Sequence, residues 1–263
     1  MNEILSVNEL TKTFRLSKKQ QKLSHIAKTK ITALNKLSFT VNEGEIFGLL
    51  GPNGAGKTTA MRIIATLIKS DSGDVFVAGD SVKEYPLNIR RKIGFLSGDL
   101  NLDDFFTPSY LFDFFSALRD IPKDIIQKQK KLLFDRFGIN DFAQKPISTL
   151  SSGMKQKVSL ILSVAHDPAI IIFDEPTNGL DIVSAKMALD FLLEMKKQGK
   201  TIILSTHLFN LAEKICTRVG IILDGQMVFC DSLFRINETT NLENLFFTLY
   251  SGLQANKEPG ALS

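Results

Sequence analysis

Three short stretches of the chain hold residue types at spacings suited to handling a triphosphate. Gly51, Pro52, Asn53, Gly54, Ala55, Gly56, Lys57, Thr58 and Thr59 run as G-x-x-x-x-G-K-[ST] with one further threonine. The glycines let the backbone curl so that successive N–H groups face one anion, and a helix starting at Lys57 adds its positive end. Lys57 is expected to reach β- and γ-phosphate oxygens, and Thr58 to place a hydroxyl on Mg²⁺. A dinucleotide-binding G-x-G-x-x-G reading of Gly54 to Thr59 fails. Its last position is Thr59, and a lysine stands where the pyrophosphate would lie.

The second stretch, Ala169 to Glu175, reads AIIIFDE: a continuous apolar run ending in two carboxylates. In an open α/β sheet ligands gather at the carboxyl ends of the strands, so Asp174 is expected at the Mg²⁺ site. Glu175, one residue further, is expected to leave the strand and orient or deprotonate the attacking water. The third stretch, LSTH, ends another apolar run on His207, where an imidazole can contact the γ-phosphate and sense its loss. The chemistry these residues suit is nucleotide binding with a water positioned at the γ-phosphate.

The elements that must position them follow from apolar periodicity and breakers. Strands are expected at Ile4 to Val7, Leu37 to Val41, Glu45 to Leu50, Val75 to Ala78 and Ile93 to Leu96. A helix is expected over Ala60 to Ile68. Thr107 and Pro108 are an N-cap and N1 proline opening a helix to Leu118, and a second helix runs from Pro122 to a stop at Gly138. Ser152 to Ala165 is a third. Residues 98–162 thus read as an inserted helical region within 1–97 and 163–230, where strands and helices alternate. After AIIIFDE come a helix over Ile182 to Lys197, a strand over Thr201 to Ser205, a helix over Leu208 to Cys216, and two strands flanking the hairpin signal Asp224-Gly225. Residues 231–263 form a C-terminal extension with one apolar segment, Leu242 to Tyr250.

With 263 residues and 44% hydrophobic composition, the chain is long enough for one large core or a core plus a subdomain. It shows no membrane-length apolar run and no signal-peptide pattern, so it is expected to stay in the cytoplasm. Cys216 and Cys230 lack metal-ligand spacing, and no structural disulfide is expected. The net charge of +4 is unevenly spread: between Glu9 and Glu43 there are eight lysines and arginines and no acidic residue. Ser17 to Lys30 is expected to be a loop, either simply solvated or in contact with anionic lipid headgroups or an acidic partner surface.

LSSGM at Leu150 to Met154 resembles the signature sequence of the ATP-binding cassette (ABC) ATPases, and it lies between the phosphate loop and AIIIFDE in that family's order. Gly179 to Asp181 resembles the family's D-loop and His207 its switch histidine. The resemblance implies an α/β fold: a P-loop NTPase (RecA-like) core with an antiparallel β subdomain and an inserted α-helical subdomain. It also implies a head-to-tail homodimer in which ATP on Lys57 of one copy is capped by Ser151 and Gly153 of the other, with Asp181 at the nucleotide. The signature's usual second glycine is Ser152 here and its usual glutamine is Met154. Phe14 is similar to the aromatic residue that stacks on adenine.

One departure concerns the glutamine that usually follows a strand like Ile93 to Leu96. Gly98 holds its place, with Asp99 beside it, so either Asp99 substitutes as a water-mediated Mg²⁺ partner or the contact is missing. The segment FLSGD, the basic insertion and LSSGM together resemble the ATP-binding subunits of bacterial sodium-extrusion exporters. The resemblance implies an ATPase on the cytoplasmic face of the membrane, bound peripherally to an integral membrane permease subunit and to no nucleic acid. Phe105, Phe106, Tyr110, Phe114 and Phe115 either receive a short helix of that subunit or pack the helical region. The competing class, a cassette that remodels a ribosomal or nucleic-acid complex, typically carries two cassettes or a long coiled-coil insertion, and neither is present.

Overall fold

The structure, a computed structural model, describes residues 2–16, 29–97, 102–119, 121–175 and 182–255. Its larger sheet contains β3 (Ile46–Leu50), β6 (Ile93–Ser97), β7 (Ile170–Asp174), β8 (Thr201–Thr206), β9 (Arg218–Leu223) and β10 (Gln226–Ser232). The order is β10-β9-β3-β8-β7-β6, parallel from β9 to β6, with β10 antiparallel at the edge. Asp224 and Gly225, both at positive φ (49° and 77°), make the tight turn into β10.

The central strands are apolar without interruption because each face feeds a different core. Ile170 and Ile172 of β7 join Phe47, Leu49 and Ile203 against α1 (Lys57–Ile64). Ile171 and Phe173 point the other way, with Ile202 and Leu204, into the core shared with the helical region. Strand alternation then places Asp174 on the same face as Ile172, toward α1, and Ser205 on the same face as Ile203. Asp174 and Ser205 are direct register partners.

The second sheet is antiparallel, β2-β1-β4-β5, from β1 (Glu3–Arg15), β2 (Lys30–Asn42), β4 (Ser72–Val77) and β5 (Asp80–Ser81). β1 and β2 run to 13 residues each, well beyond the short strands expected. Bulges are the reason. Glu9 and Lys36 take φ of 46° and 52°, so the buried residues step by three, Val7 to Leu10 and Leu34 to Leu37, and break the two-residue period. Hydroxyls of Ser38 and Thr11 accept the N–H groups of Glu9 and Lys36 at these points.

Among the described residues, 102–162 contain no strand. Their helices are α3 (Pro108–Ala117), α4 (Lys123–Phe137) and α5 (Ser152–Val164), after α2 (Pro86–Lys92). Thr107 caps α3, its hydroxyl accepting the Tyr110 N–H at 3.2 Å, and Gly138 ends α4 at φ 60°. α6 (Ile182–Lys197) and α7 (Phe209–Ile215) complete the alternating part, and α8 (Leu233–Thr239) and α9 (Leu242–Ala255) follow it. Phe246 and Leu242 of α9 bury against Val219 and Ile221 of β9.

Candidate active site

The phosphate loop joins β3 to α1 and is shaped by close approaches that only glycine permits. Gly56, the residue before α1, has φ 108°, and a Cβ there would lie 2.4 Å from the Ala33 carbonyl. A Cβ on Gly51 would lie 2.4 Å from the Ile222 carbonyl. The loop is also tied to the β9–β10 turn, where the Gly225 N–H donates to Ala55 O at 3.0 Å and the Asn35 N–H to Gly225 O at 2.9 Å. Asn53 and Gly54 are exposed at the rim, while Pro52, Thr58 and Thr59 are half-buried. The Lys57 ammonium is buried, so it needs partners. It donates to Gly51 O at 2.7 Å and Pro52 O at 3.2 Å, and lies 3.5 Å from Glu175 Oε1.

Asp174 and Glu175 are used differently because the strand ends between them. Asp174 is buried and faces α1, where Thr58 Oγ1 donates to its Oδ1 at 3.1 Å. Glu175 has left the alternation at φ 57°, a region costly for a residue with a side chain. That turn brings its carboxylate to Lys57 and to His207, whose Nδ1 is 2.8 Å from Glu175 Oε2. His207 is 42% exposed, Glu175 18% and Lys57 5%, so the three side chains grade from solvent into the loop.

The structure thus brings Lys57, Thr58, Asp174, Glu175 and His207 together. Ser151 and Gly153 make their contacts elsewhere. Ser151 is exposed and caps α5, its Oγ accepting the Met154 N–H at 3.3 Å, and a Cβ on Gly153 would meet Ser184 Oγ at 3.1 Å. Phe14 is 39% exposed and pairs with Ile31, on the same ribbon whose Ala33 abuts Gly56. It does not pack as a core residue at the strand end. Lys12 Nζ sits 5.5 Å from its ring centroid. Asp99, Gly98, Gly179, Asp181 and most of the basic stretch 17–30 lie outside the described residues. One member of the cluster was not anticipated. Ser205 donates to Asp174 Oδ1 at 2.5 Å and accepts the Glu175 N–H at 3.0 Å. Its sequence signal is a hydroxyl at the end of an otherwise apolar run.

The donors fit a hard cation. A hydroxyl and a carboxylate converge at the Thr58–Asp174 pair, and oxygen donors of this kind suit Mg²⁺. Among the described residues no three His, Cys, Asp or Glu side chains gather as a metal cage. A magnesium ion here would take its remaining ligands from phosphate oxygens and water, its usual habit.

Comparison with known proteins agrees with this geometry. Residues 34–178 match the ABC transporter family, and over 224 residues the chain is 34% identical to the ABC transporter ATP-binding protein NatA of Bacillus subtilis, spanning 85% of this chain and 91% of that protein. The chain belongs to the ABC transporter family. This ABC cassette is also 33% identical to Nod factor export ATP-binding protein I of Ralstonia nicotianae, over 75% of its own length and 61% of that protein. Among solved structures, the ATP-binding subunit of an ABC transporter superposes with a TM-score of 0.80 at 25% identity, covering 94% of this chain and 99% of that one. An ATP-binding cassette solved as a dimer in a post-hydrolysis state with ADP and Pi gives 0.75 at 25% identity, covering 87% and 98%. The ABC cassette therefore has the P-loop NTPase fold, binds nucleotide and hydrolyses ATP as the ATP-binding subunit of a transporter. The ribosomal or nucleic-acid remodelling alternative falls away.

Proposed function

We propose that the cassette hydrolyses MgATP as one half of a head-to-tail homodimer and powers export through a separate integral membrane subunit, held at the cytoplasmic face. The observation that carries the catalytic part is the convergence of Lys57 and His207 on the Glu175 carboxylate. Lys57 binds and neutralises the β- and γ-phosphate oxygens. Thr58 and Asp174 hold Mg²⁺, with Asp99 as a water-mediated partner. Held there, Mg²⁺ would supply charge neutralisation to the transferred phosphoryl group. Glu175 accepts the proton of the attacking water. His207, hydrogen-bonded to that carboxylate, links contact with the γ-phosphate to the state of the base. Phosphoryl transfer asks for little beyond positioning and charge compensation, and these groups supply both.

The dimer reading is supported by where Ser151 and Gly153 sit. They sit at the exposed N-terminus of the 13-residue α5, whose first turn carries no acidic side chain. Such a terminus suits a phosphate, and one on a second copy would close over Gly51 to Thr59, with Phe14 against the adenine and Asp181 beside the nucleotide. A related cassette solved as a dimer with ADP and Pi supports a two-copy reading.

A membrane partner is supported by an exposed aromatic ladder. Phe106, Tyr110 and Phe114 follow at four-residue spacing with ring centroids 4.6 and 6.0 Å apart, and Phe105 is 91% exposed. Interior packing of the helical region falls to Phe112, Phe134, Phe137 and Phe142 instead. A short apolar helix from a membrane subunit fits that stripe. Among the described residues no helix is long and apolar enough to cross a membrane. We assign the nucleotide-binding core to 1–97 and 163–230, the helical insertion to 98–162 and the extension to 231–263.

The test is Glu175→Gln. Turnover is expected to fall by at least about a hundredfold while ATP still binds, since a positioned base contributes on the order of 10²–10⁴. Brisk hydrolysis by this variant would remove Glu175 as the base.

A further inference from the structure

We propose that Ser205 is a positioning residue of the hydrolytic site: one buried hydroxyl ties the metal-holding carboxylate of Asp174 to the backbone of Glu175. The inference rests on the roles given above to those two residues. β8 lays Ser205 beside Asp174 in direct register and on the same face, toward α1. The side chain is fully buried, as are Ile202, Ile203 and Leu204 before it, so packing alone would be served by another apolar residue. A hydroxyl in that setting needs partners, and both of its partners belong to the site.

The bonding has one direction. A serine hydroxyl carries a single proton. Donated to Asp174 Oδ1 at 2.5 Å, it leaves the oxygen's lone pairs for the Glu175 N–H at 3.0 Å. The short distance matches a charge-assisted O–H···O⁻ bond. Thr58 donates to the same Asp174 oxygen at 3.1 Å, so the carboxylate is fixed from α1 and from β8 together.

The second half of the bridge bears on Glu175. Its N–H also lies 3.2 Å from the Ser205 main-chain oxygen, so two oxygens of one residue hold the peptide at which the chain turns to φ 57°. Non-glycine residues keep such a conformation only where the surroundings over-determine it. The approach of the Glu175 carboxylate to Lys57 and His207 begins at that turn. Removing the Ser205 hydroxyl leaves the main-chain contact alone, and it loosens Asp174 and Glu175 at once without touching the phosphate loop.

Ser205→Ala tests this with two readouts. At saturating MgATP, turnover is expected to fall roughly ten- to hundredfold, the range of a lost hydrogen bond to a charged group. Binding of a fluorescent ATP analogue in EDTA is expected within about twofold of wild type, while the gain in affinity on adding Mg²⁺ shrinks about tenfold, as for other residues that orient a metal ligand. Wild-type turnover with a wild-type Mg²⁺ gain overturns the proposal. So does a loss of turnover matched by an equal loss of Mg²⁺-free binding, which marks general damage to the fold. Glu175→Gln separates the two levels. If that variant hydrolyses briskly, the reading of the site has failed. If it is inactive while Ser205→Ala behaves as wild type, only the role of Ser205 has failed.

Discussion

At the residue scale the site is a problem of buried charge. Lys57 is 5% exposed, and its ammonium is satisfied by two loop carbonyls and Glu175. Those same carbonyls fix the lysine across the loop where we propose phosphate oxygens bind. Lys57→Ala is expected to weaken ATP binding by at least about tenfold, the worth of one charged hydrogen bond or more, in an equilibrium titration; retained affinity would mean that the loop has been misassigned. Gly56→Ala is expected to cost about 1–3 kcal/mol in chemical unfolding, because φ 108° and the Ala33 carbonyl both reject a Cβ. The loop was legible in the sequence because its spacing is local: glycines, lysine and threonine act within nine residues. Ser205 was not, because its meaning depends on a strand register that joins it to Asp174 across 31 residues.

At the element scale, legibility followed how closely each strand or helix kept its period. β3, β7 and β8 were readable as apolar runs, and the caps at Thr107 and Gly138 as end signals. β1 and β2 were read too short because bulges at Glu9 and Lys36 shift the alternation. β5, α2 and α8, of two to seven residues, carry too few repeats to show a period. Two contacts between elements lend themselves to measurement. Glu45, 5% exposed, joins the start of β3 to Arg218 of β9 at 2.8 Å, with the Asn42 N–H as a further donor. Arg218→Ala is expected to cost roughly 3 kcal/mol by urea titration, the lower end for a broken buried pair, since Asn42 still donates. His166, in the turn after α5, has Nε2 3.0 Å from the Ile93 carbonyl of β6 and 2.8 Å from Arg119. Burial first, and the Arg119 charge second, hold its pKa down to about 4. The unfolded chain binds this proton below about pH 6.5 and the folded chain only near 4. Stability from this group is therefore complete above about 6.5 and is lost as pH falls through that window. His166→Gln should flatten the difference in unfolding free energy between pH 7 and 4 by no more than about 3 kcal/mol; parallel profiles would contradict the assignment.

At the scale of the whole molecule, the two groups of residues that we propose complete one site lie on different parts of one chain. Lys57, Asp174, Glu175 and His207 meet at the carboxyl ends of the parallel strands, while Ser151 and Gly153 open α5 in the helical region and touch none of them. The aromatic ladder of α3 adds a third exposed surface, separate from the core that Phe112 helps to fill. On the function proposed above, a molecule arranged in this way would work through assembly: nucleotide between two copies, and the helical region against a membrane subunit. Sequence motifs pointed to both proposed half-sites, and the physical support for pairing them across two copies is the exposed, acid-free N-terminus of α5. The most direct test is sedimentation velocity of Glu175→Gln with MgATP. The account predicts a shift from monomer to dimer on adding ATP, abolished when Ser151→Arg is introduced into the same variant. A Glu175→Gln protein that binds ATP and stays monomeric, or a dimer indifferent to Ser151→Arg, would contradict it.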